Sequence, residues 1–156
     1  MKLSDFVISD ASLPGLKAAS RDEVVEELVD ALIAAGAAPA DLKDTLIAEI
    51  LKREKNGSTG FGKGVAIPHV KHDQIKKVAA AIGISQTGVD YNALDKQPVY
   101  SIFMLLSPAD QPDQHLHAME NIFANLQDDR FRSFLRQAQT HDAITTLLDE
   151  ADAQQL

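Results

Sequence analysis

The stretch from Val99 to Leu106 constrains the fold more than any other part of this sequence. It reads VYSIFMLL, so nearly every residue is apolar. A strand with one side in solvent alternates apolar and polar residues, whereas this run is apolar on both sides and is typical of a central strand covered on both faces. Two shorter runs, Val65 to Ile67 and Val78 to Ser85, predict further strands of the same sheet.

Helical periodicity precedes these strands. The segment SRDE predicts a capping box between Ser20 and Glu23, and apolar residues follow at helical spacing until Gly36. A second helix is predicted from about Pro39 to Glu54, with cationic residues in its last turn, where the helix dipole favours them. Two helices therefore lead into the strands.

Helical periodicity returns at Pro112. The following residues predict one apolar stripe along a long helix, formed by Leu116, Met119, Ile122, Phe123 and Leu126. A short helix around residues 131–138 and a last one capped by Thr140 complete the pattern. Helices, then strands, then helices predict an α/β fold, a three-layer sandwich with a mixed β-sheet flanked by helices, as a single domain over residues 1–156.

Composition excludes several functions. The formal net charge is −8 and the basic residues are scattered, which disfavours nucleic-acid binding because that needs a basic face. Without cysteine the chain has no disulfide, thiolate metal site or cysteine nucleophile. No apolar run is long enough to predict membrane insertion, and MKLSDFVISD lacks the pattern of a secretory signal, so we expect a cytoplasmic protein.

The glycine-rich segment GSTGFGKGVAIPH, residues 57–69, is the strongest candidate for a site. Closely spaced glycines let backbone amides approach an anion. A P-loop would need Ser or Thr after Lys63, where Gly64 stands, and a dinucleotide fingerprint would need a strand before the loop rather than a helix. A flexible connection between helix and strand is the simple alternative.

His69 ends this segment. A neutral imidazole is nucleophilic near neutral pH and can carry a phosphoryl group, and Pro68 restricts the direction in which His69 points. A purely structural histidine is the alternative. A serine hydrolase that used Ser58 with His69 would need a nucleophile elbow, which is absent.

His115 and His117 open the long helix, two residues apart, so at most one of them shares a face with a given partner. His115, near a helix N-terminus, suits hydrogen bonding to an anion. A metal site would combine these histidines with His69, His72 and Asp73, but their spacing matches no standard zinc signature.

Three segments together resemble the enzyme IIA component of the bacterial sugar phosphotransferase system: REKNGSTGFGKGVAIPH, QPVYSIFMLLSPADQ and HLHAMENIFANL. The resemblance covers almost the whole chain and is closest to the nitrogen-regulatory branch of the fructose and mannitol superfamily. It implies that His69 accepts a phosphoryl group, with Arg53 neutralising charge and His115 hydrogen bonding beside it. It also implies loop contacts to the phosphate, through Ser58, Thr59 and Gly60.

The resemblance further implies a phosphocarrier without cofactor or metal, whose donor is the histidine phosphocarrier HPr or an HPr-like protein. The alternatives are a fructose-type sugar transport component that donates to an enzyme IIB cysteine, and a non-catalytic interaction module that binds a regulatory target. Val70 stands where the family usually has glycine, and Phe61 and Lys63 also depart from its commoner residues. If that glycine has positive φ, the backbone after His69 must differ here.

Overall fold

The computed structural model describes residues 1–156. Three helices come first in the chain: α1 (Leu3–Phe6), α2 (Arg21–Ala34) and α3 (Lys43–Lys55), with short 3₁₀ turns at Ser9–Ala11 and Ala40–Leu42. Four strands follow: β1 (Val65–Ala66), β2 (His69–His72), β3 (Ala79–Val89) and β4 (Val99–Pro108). The chain ends with α4 (Pro112–Leu126), α5 (Asp129–Gln137) and α6 (His141–Asp152).

Strand β4 is the centre of the sheet, as its apolar sequence predicts. On one edge it pairs in parallel with β1 and then with β2, where His69 lies opposite Leu105. On its other edge β3 pairs antiparallel, with Ala80 opposite Leu105. The N-terminal segment runs along the outer edge of β3 through single bridges at Val7, Leu13 and Ser20. The sheet is therefore mixed.

Two apolar cores lie on the two faces of this sheet, because alternate β4 side chains point to opposite sides. Ile102, Met104 and Leu106 join the core beneath α2 and α3. Phe103 and Leu105 join the core beneath α4, α5 and α6. The three-layer sandwich predicted from the sequence is confirmed.

Local details differ from the predictions. Ser20 precedes α2, but its hydroxyl donates to Glu23 Oε1 (2.7 Å) instead of accepting a backbone N–H, so the predicted capping box is not formed. On α4, Leu116 and Phe123 are 54% and 47% exposed, so the predicted stripe is not wholly buried. Ala118 takes part of its place, beside Ile122 and Leu126. Helix α1 and strand β2 were not predicted.

None of the helices is both long enough and apolar enough to cross a membrane.

Candidate functional site

His69 opens strand β2 and remains partly exposed. Its Nδ1 lies 2.7 Å from the carbonyl oxygen of Ile67. A carbonyl oxygen can only accept a hydrogen bond, so Nδ1 carries the proton and donates it. The lone pair of the neutral ring is therefore on Nε2, which makes no hydrogen bond within the protein.

His115 lies beside His69, in the first turn of α4. The two ring centroids are 5.5 Å apart, with a tilt of 52° between the ring planes. Nδ1 of His115 is 2.7 Å from the hydroxyl of Ser107, a buried residue near the end of β4. His117 is exposed. The fold thus brings one of the two α4 histidines to His69.

Three causes lower the pKa of His115 from 6.5 to about 4: burial first, then the positive charges of His69 and Lys71. The ring is therefore neutral at pH 7. A neutral ring can donate from one nitrogen and accept at the other, and its bond to Ser107 decides which nitrogen does which.

This lowered pKa predicts a pH dependence of folding. Below pH 6.5 the unfolded chain binds a proton at His115 that the folded chain does not bind until about pH 4. Stability must therefore fall as pH falls through this window. We expect His115→Gln to flatten the decrease in Tm between pH 6.5 and pH 4, with His117→Gln, at an exposed site, as the control. Parallel Tm curves for wild type and His115→Gln would contradict this prediction.

Arg53 lies in the last turn of α3 and is exposed. Its Nη1 donates to the carbonyl oxygen of Gly57 at 2.6 Å, which holds the guanidinium over the start of the glycine loop. It forms no salt bridge and no hydrogen bond to His69 or His115. Most of its N–H donors therefore remain available to an anion.

The glycine loop is bound to the end of α3 by Glu54, which sequence reasoning missed. Glu54 is 3% exposed, and its carboxylate accepts from the backbone N–H (3.0 Å) and the hydroxyl of Thr59. The sequence offered one signal: Glu54 stands among cationic residues in a last helical turn, where the dipole disfavours an anion.

Ser58 and Gly60, the other two loop residues predicted to contact the phosphate, contact each other and the segment after β3. The amide of Gly60 donates to Ser58 Oγ at 3.0 Å, which leaves the Ser58 hydroxyl hydrogen free. Gly60 packs so closely that an added Cβ would lie 3.0 Å from Ala93 Cβ and 3.1 Å from Tyr91 Cδ1. A side chain at position 60 would therefore require these neighbours to shift by a few tenths of an ångström.

The two loop residues that depart from the family pattern contact α4 and the residue that follows it. The ring centroids of Phe61 and Phe123 are 4.9 Å apart, and Lys63 Nζ donates to Gln127 Oε1 at 3.3 Å. Lys63 has φ 62°, a strained value for a residue with a side chain. Val70 lies in β2 opposite Leu106 and does not have positive φ, so a β-branched residue suits its backbone.

Neither the metal site nor the serine hydrolase site considered from the sequence is assembled in the structure. His72 Nδ1 accepts from the amide of Gln74 at 3.0 Å, and no group of three or more metal-ligating side chains converges anywhere in the chain. Ser58 makes no hydrogen bond to His69. The structure brings Ile67 O and the His115 ring to His69, and Ser107 binds His115.

Comparison with known proteins gives consistent matches. A family model described as "Phosphoenolpyruvate-dependent sugar phosphotransferase system, EIIA 2" matches residues 9–151. A nitrogen regulatory protein of Bradyrhizobium diazoefficiens is 33% identical over 149 residues, 95% of each chain. The fructose-specific EIIABC component of Bacillus subtilis is 31% identical over 152 residues, and this chain spans 24% of that protein. The crystal structure of IIA-Ntr from Neisseria meningitidis matches with a TM-score of 0.84 and 25% identity, covering 94% of this chain and 98% of that one.

Proposed function

The chain belongs to the EIIA 2 family of the phosphoenolpyruvate-dependent sugar phosphotransferase system, and from this we propose that it is a phosphocarrier in which His69 accepts and releases a phosphoryl group. The donor is HPr or an HPr-like protein, and the role is of the nitrogen-regulatory type. A protein that carries phosphoryl groups between the proteins of this system would lie in the cytoplasm.

The observation that carries the proposal is the fixed tautomer of His69. With its Nδ1–H donated to Ile67 O, the ring directs an unprotonated Nε2 outward as the nucleophile. In the transfer, the P–N bond of the donor phosphohistidine breaks as a new P–N bond forms at Nε2. The donor imidazole leaves with the electron pair of its broken bond. The positive charge that develops on the His69 ring is stabilised by the Ile67 carbonyl oxygen.

Three groups have donors that suit the transferring phosphoryl group: His115, whose ring lies beside His69, and the side chains of Arg53 and Ser58 at the start of the glycine loop. If Ser107 donates its hydroxyl hydrogen to Nδ1 of His115, the neutral His115 ring presents Nε2–H toward the phosphoryl oxygens. The Arg53 guanidinium and the Ser58 hydroxyl supply further donors. The Thr59 hydroxyl already donates to Glu54, so a contact from Thr59 would have to come indirectly, through the shape of the loop.

Exposed apolar side chains beside this site suit a protein partner. Leu116 follows His115 directly, and Met119 and Phe123 continue the same face of α4. Phe61 of the glycine loop packs against Phe123. Leu116 and Phe123 are exposed, whereas Met119 and Phe61 are partly buried, and an apolar surface of this kind next to a reactive group is typical of a docking surface.

We expect Phe123→Asp to raise the KM for the phosphorylated donor about tenfold or more, the loss expected of one buried aromatic anchor, with a smaller change in kcat. Phe134→Asp is the matched control, because Phe134 is also an exposed phenylalanine, 49% against 47%, but lies on α5. Transfer assays at varied donor concentration measure both constants. Equal KM values for the two variants would contradict docking at this surface.

The fructose-type alternative is favoured by the similarity to the EIIABC component of Bacillus subtilis. The two roles differ in the acceptor: a sugar component passes its phosphoryl group to an enzyme IIB cysteine, whereas a regulatory carrier changes its binding to a target protein. Adding a fructose-type enzyme IIB to the phosphorylated protein distinguishes them. Rapid loss of phosphate to IIB would favour the sugar role.

The experiment that tests the proposal is incubation of the wild-type protein with phosphoenolpyruvate, enzyme I and HPr, followed by intact-mass measurement. We expect a gain of one phosphoryl group that acid removes, because a P–N bond is acid-labile. A known enzyme IIA serves as the control for donor competence. If neither HPr nor an HPr-like donor of the nitrogen branch produces the gain, the phosphocarrier proposal fails and the interaction module takes its place.

A further inference from the structure

Glu54 is the only charged residue that is buried in this chain, and it has no cationic partner. It is 3% exposed and takes part in no salt bridge. Burying a carboxylate without a counter-charge is costly, and the last turn of a helix adds an unfavourable dipole. Such a group persists only where hydrogen bonds compensate for the lost water.

These compensating hydrogen bonds all run in one direction, from Tyr91 through Thr59 to Glu54. Burial, and then the negative charge of Glu54, raise the pKa of Tyr91 far above its ordinary value, so its hydroxyl keeps its proton. Thr59 has one hydroxyl hydrogen and gives it to Glu54. The Tyr91 hydroxyl, 3.3 Å from Thr59 Oγ1, is therefore the donor in that contact. Tyr91, Thr59 and Glu54 thus form one buried network in which every buried side-chain polar atom has a partner.

The same network continues along the backbone to the reactive imidazole. The carbonyl oxygen of Thr59 accepts from the N–H of Ile67 at 3.3 Å. The carbonyl oxygen of Ile67 accepts from Nδ1 of His69 at 2.7 Å. Two hydrogen-bonded steps therefore separate the residue held by Glu54 from the ring whose Nε2 is to be phosphorylated.

A second set of contacts holds the glycine loop at Gly60. The amide of Leu94 donates to the carbonyl oxygen of Gly60 at 2.8 Å, and Gly60 lies against Tyr91 and Ala93. The loop is thus fixed between the end of α3 and the segment after β3. Glu54 directly follows Arg53 in α3 and binds Thr59 in the loop that leads to His69. It therefore connects the backbone that carries Arg53 to the backbone that carries His69.

We propose that Glu54 is a positioning residue: through Thr59 and Ile67 it sets the tautomer and orientation of His69. The consequence for transfer rests on the proposed function, whereas the effect on the tautomer does not. Removing the carboxylate would release Thr59, loosen the Ile67 peptide and let the His69 proton move to Nε2. The ring would then lose its nucleophilic lone pair at the exposed nitrogen.

The test compares Glu54→Gln with Glu49→Gln, an exposed glutamate on the same helix. A glutamine keeps the size of the side chain but offers a single carbonyl oxygen to the two Thr59 donors. Long-range ¹H–¹⁵N NMR of the imidazole reports the His69 tautomer at pH 8, and transfer from phosphorylated HPr reports the rate. We expect mixed tautomers and a rate loss of about tenfold to a hundredfold, the effect of a displaced reacting group, in Glu54→Gln alone.

Two variants at Thr59 keep the proposal testable if Glu54→Gln fails to fold. Thr59→Ser retains the hydroxyl and should keep the wild-type tautomer of His69. Thr59→Val removes the hydroxyl and should show the same mixed tautomers as Glu54→Gln. A wild-type tautomer and rate in folded Glu54→Gln, or in folded Thr59→Val, would overturn the proposal. If neither HPr nor an HPr-like donor of the nitrogen branch phosphorylates any form of the protein, the proposed function fails, and the tautomer comparison still decides the role of Glu54.

Discussion

His69→Gln is expected to abolish the acid-labile gain of one phosphoryl group while leaving the fold intact. Glutamine has no nitrogen lone pair comparable to that of Nε2, so no P–N bond can form at this position. The ring is partly exposed and makes one side-chain hydrogen bond, to the Ile67 carbonyl oxygen, so the substitution removes a single hydrogen bond of that side chain from the fold. Intact mass after incubation with the donor system measures the phosphate, and thermal unfolding checks the fold.

The neighbouring histidines supply the controls for this experiment. His72→Gln changes the other histidine of β2, and His117→Gln changes the exposed histidine next to His115. Both variants should gain phosphate as the wild type does. Phosphorylation of His69→Gln would show that another nucleophile accepts the group, and peptide mapping would locate it.

The three layers of the fold could be predicted because the sequence of the central strand is stable only when both of its faces are covered. Val99 to Leu106 is apolar on both faces and must be covered on both, which determines the three layers. Strand β2 could not be predicted, because HVKH places polar residues on a strand that buries only Val70 fully. Helix α1 is four residues long, too short to show a period. Its burial depends on contact with α6, which local sequence does not reveal.

The candidate site shows the same limit. His69 and Arg53 are recognisable by residue type and by the surrounding glycine loop. Ser107 is not, because its contact with His115 depends on where β4 ends and how α4 returns across the sheet. The exposure of Phe123 was also missed: helical periodicity identifies a stripe but cannot distinguish a residue that packs in the core from one that meets the glycine loop.

Arg53→Gln is expected to slow phosphoryl transfer to His69 by about a hundredfold to a thousandfold, the usual loss when one donor to developing negative charge is removed. The phosphoryl oxygens carry negative charge throughout the transfer, and the Arg53 guanidinium, which binds the Gly57 carbonyl oxygen at the start of the glycine loop, keeps most of its donors free. Glutamine can replace the hydrogen bond to the Gly57 carbonyl oxygen but not the charge. Stopped-flow or quench measurement of transfer from phosphorylated HPr gives the rate.

Two further variants separate charge from geometry at this position. Arg53→Lys keeps the charge but loses the planar fork, so we expect it to recover only part of the rate. Lys52→Gln removes a neighbouring exposed cation from the same turn and should change transfer little beyond the weak effect of a screened surface charge. If Lys52→Gln and Arg53→Gln slowed transfer equally, and salt slowed the wild type to the same degree, Arg53 would act only through long-range attraction of the donor protein. A loss confined to Arg53→Gln that persists at high salt requires direct contact between its guanidinium and the transferring group.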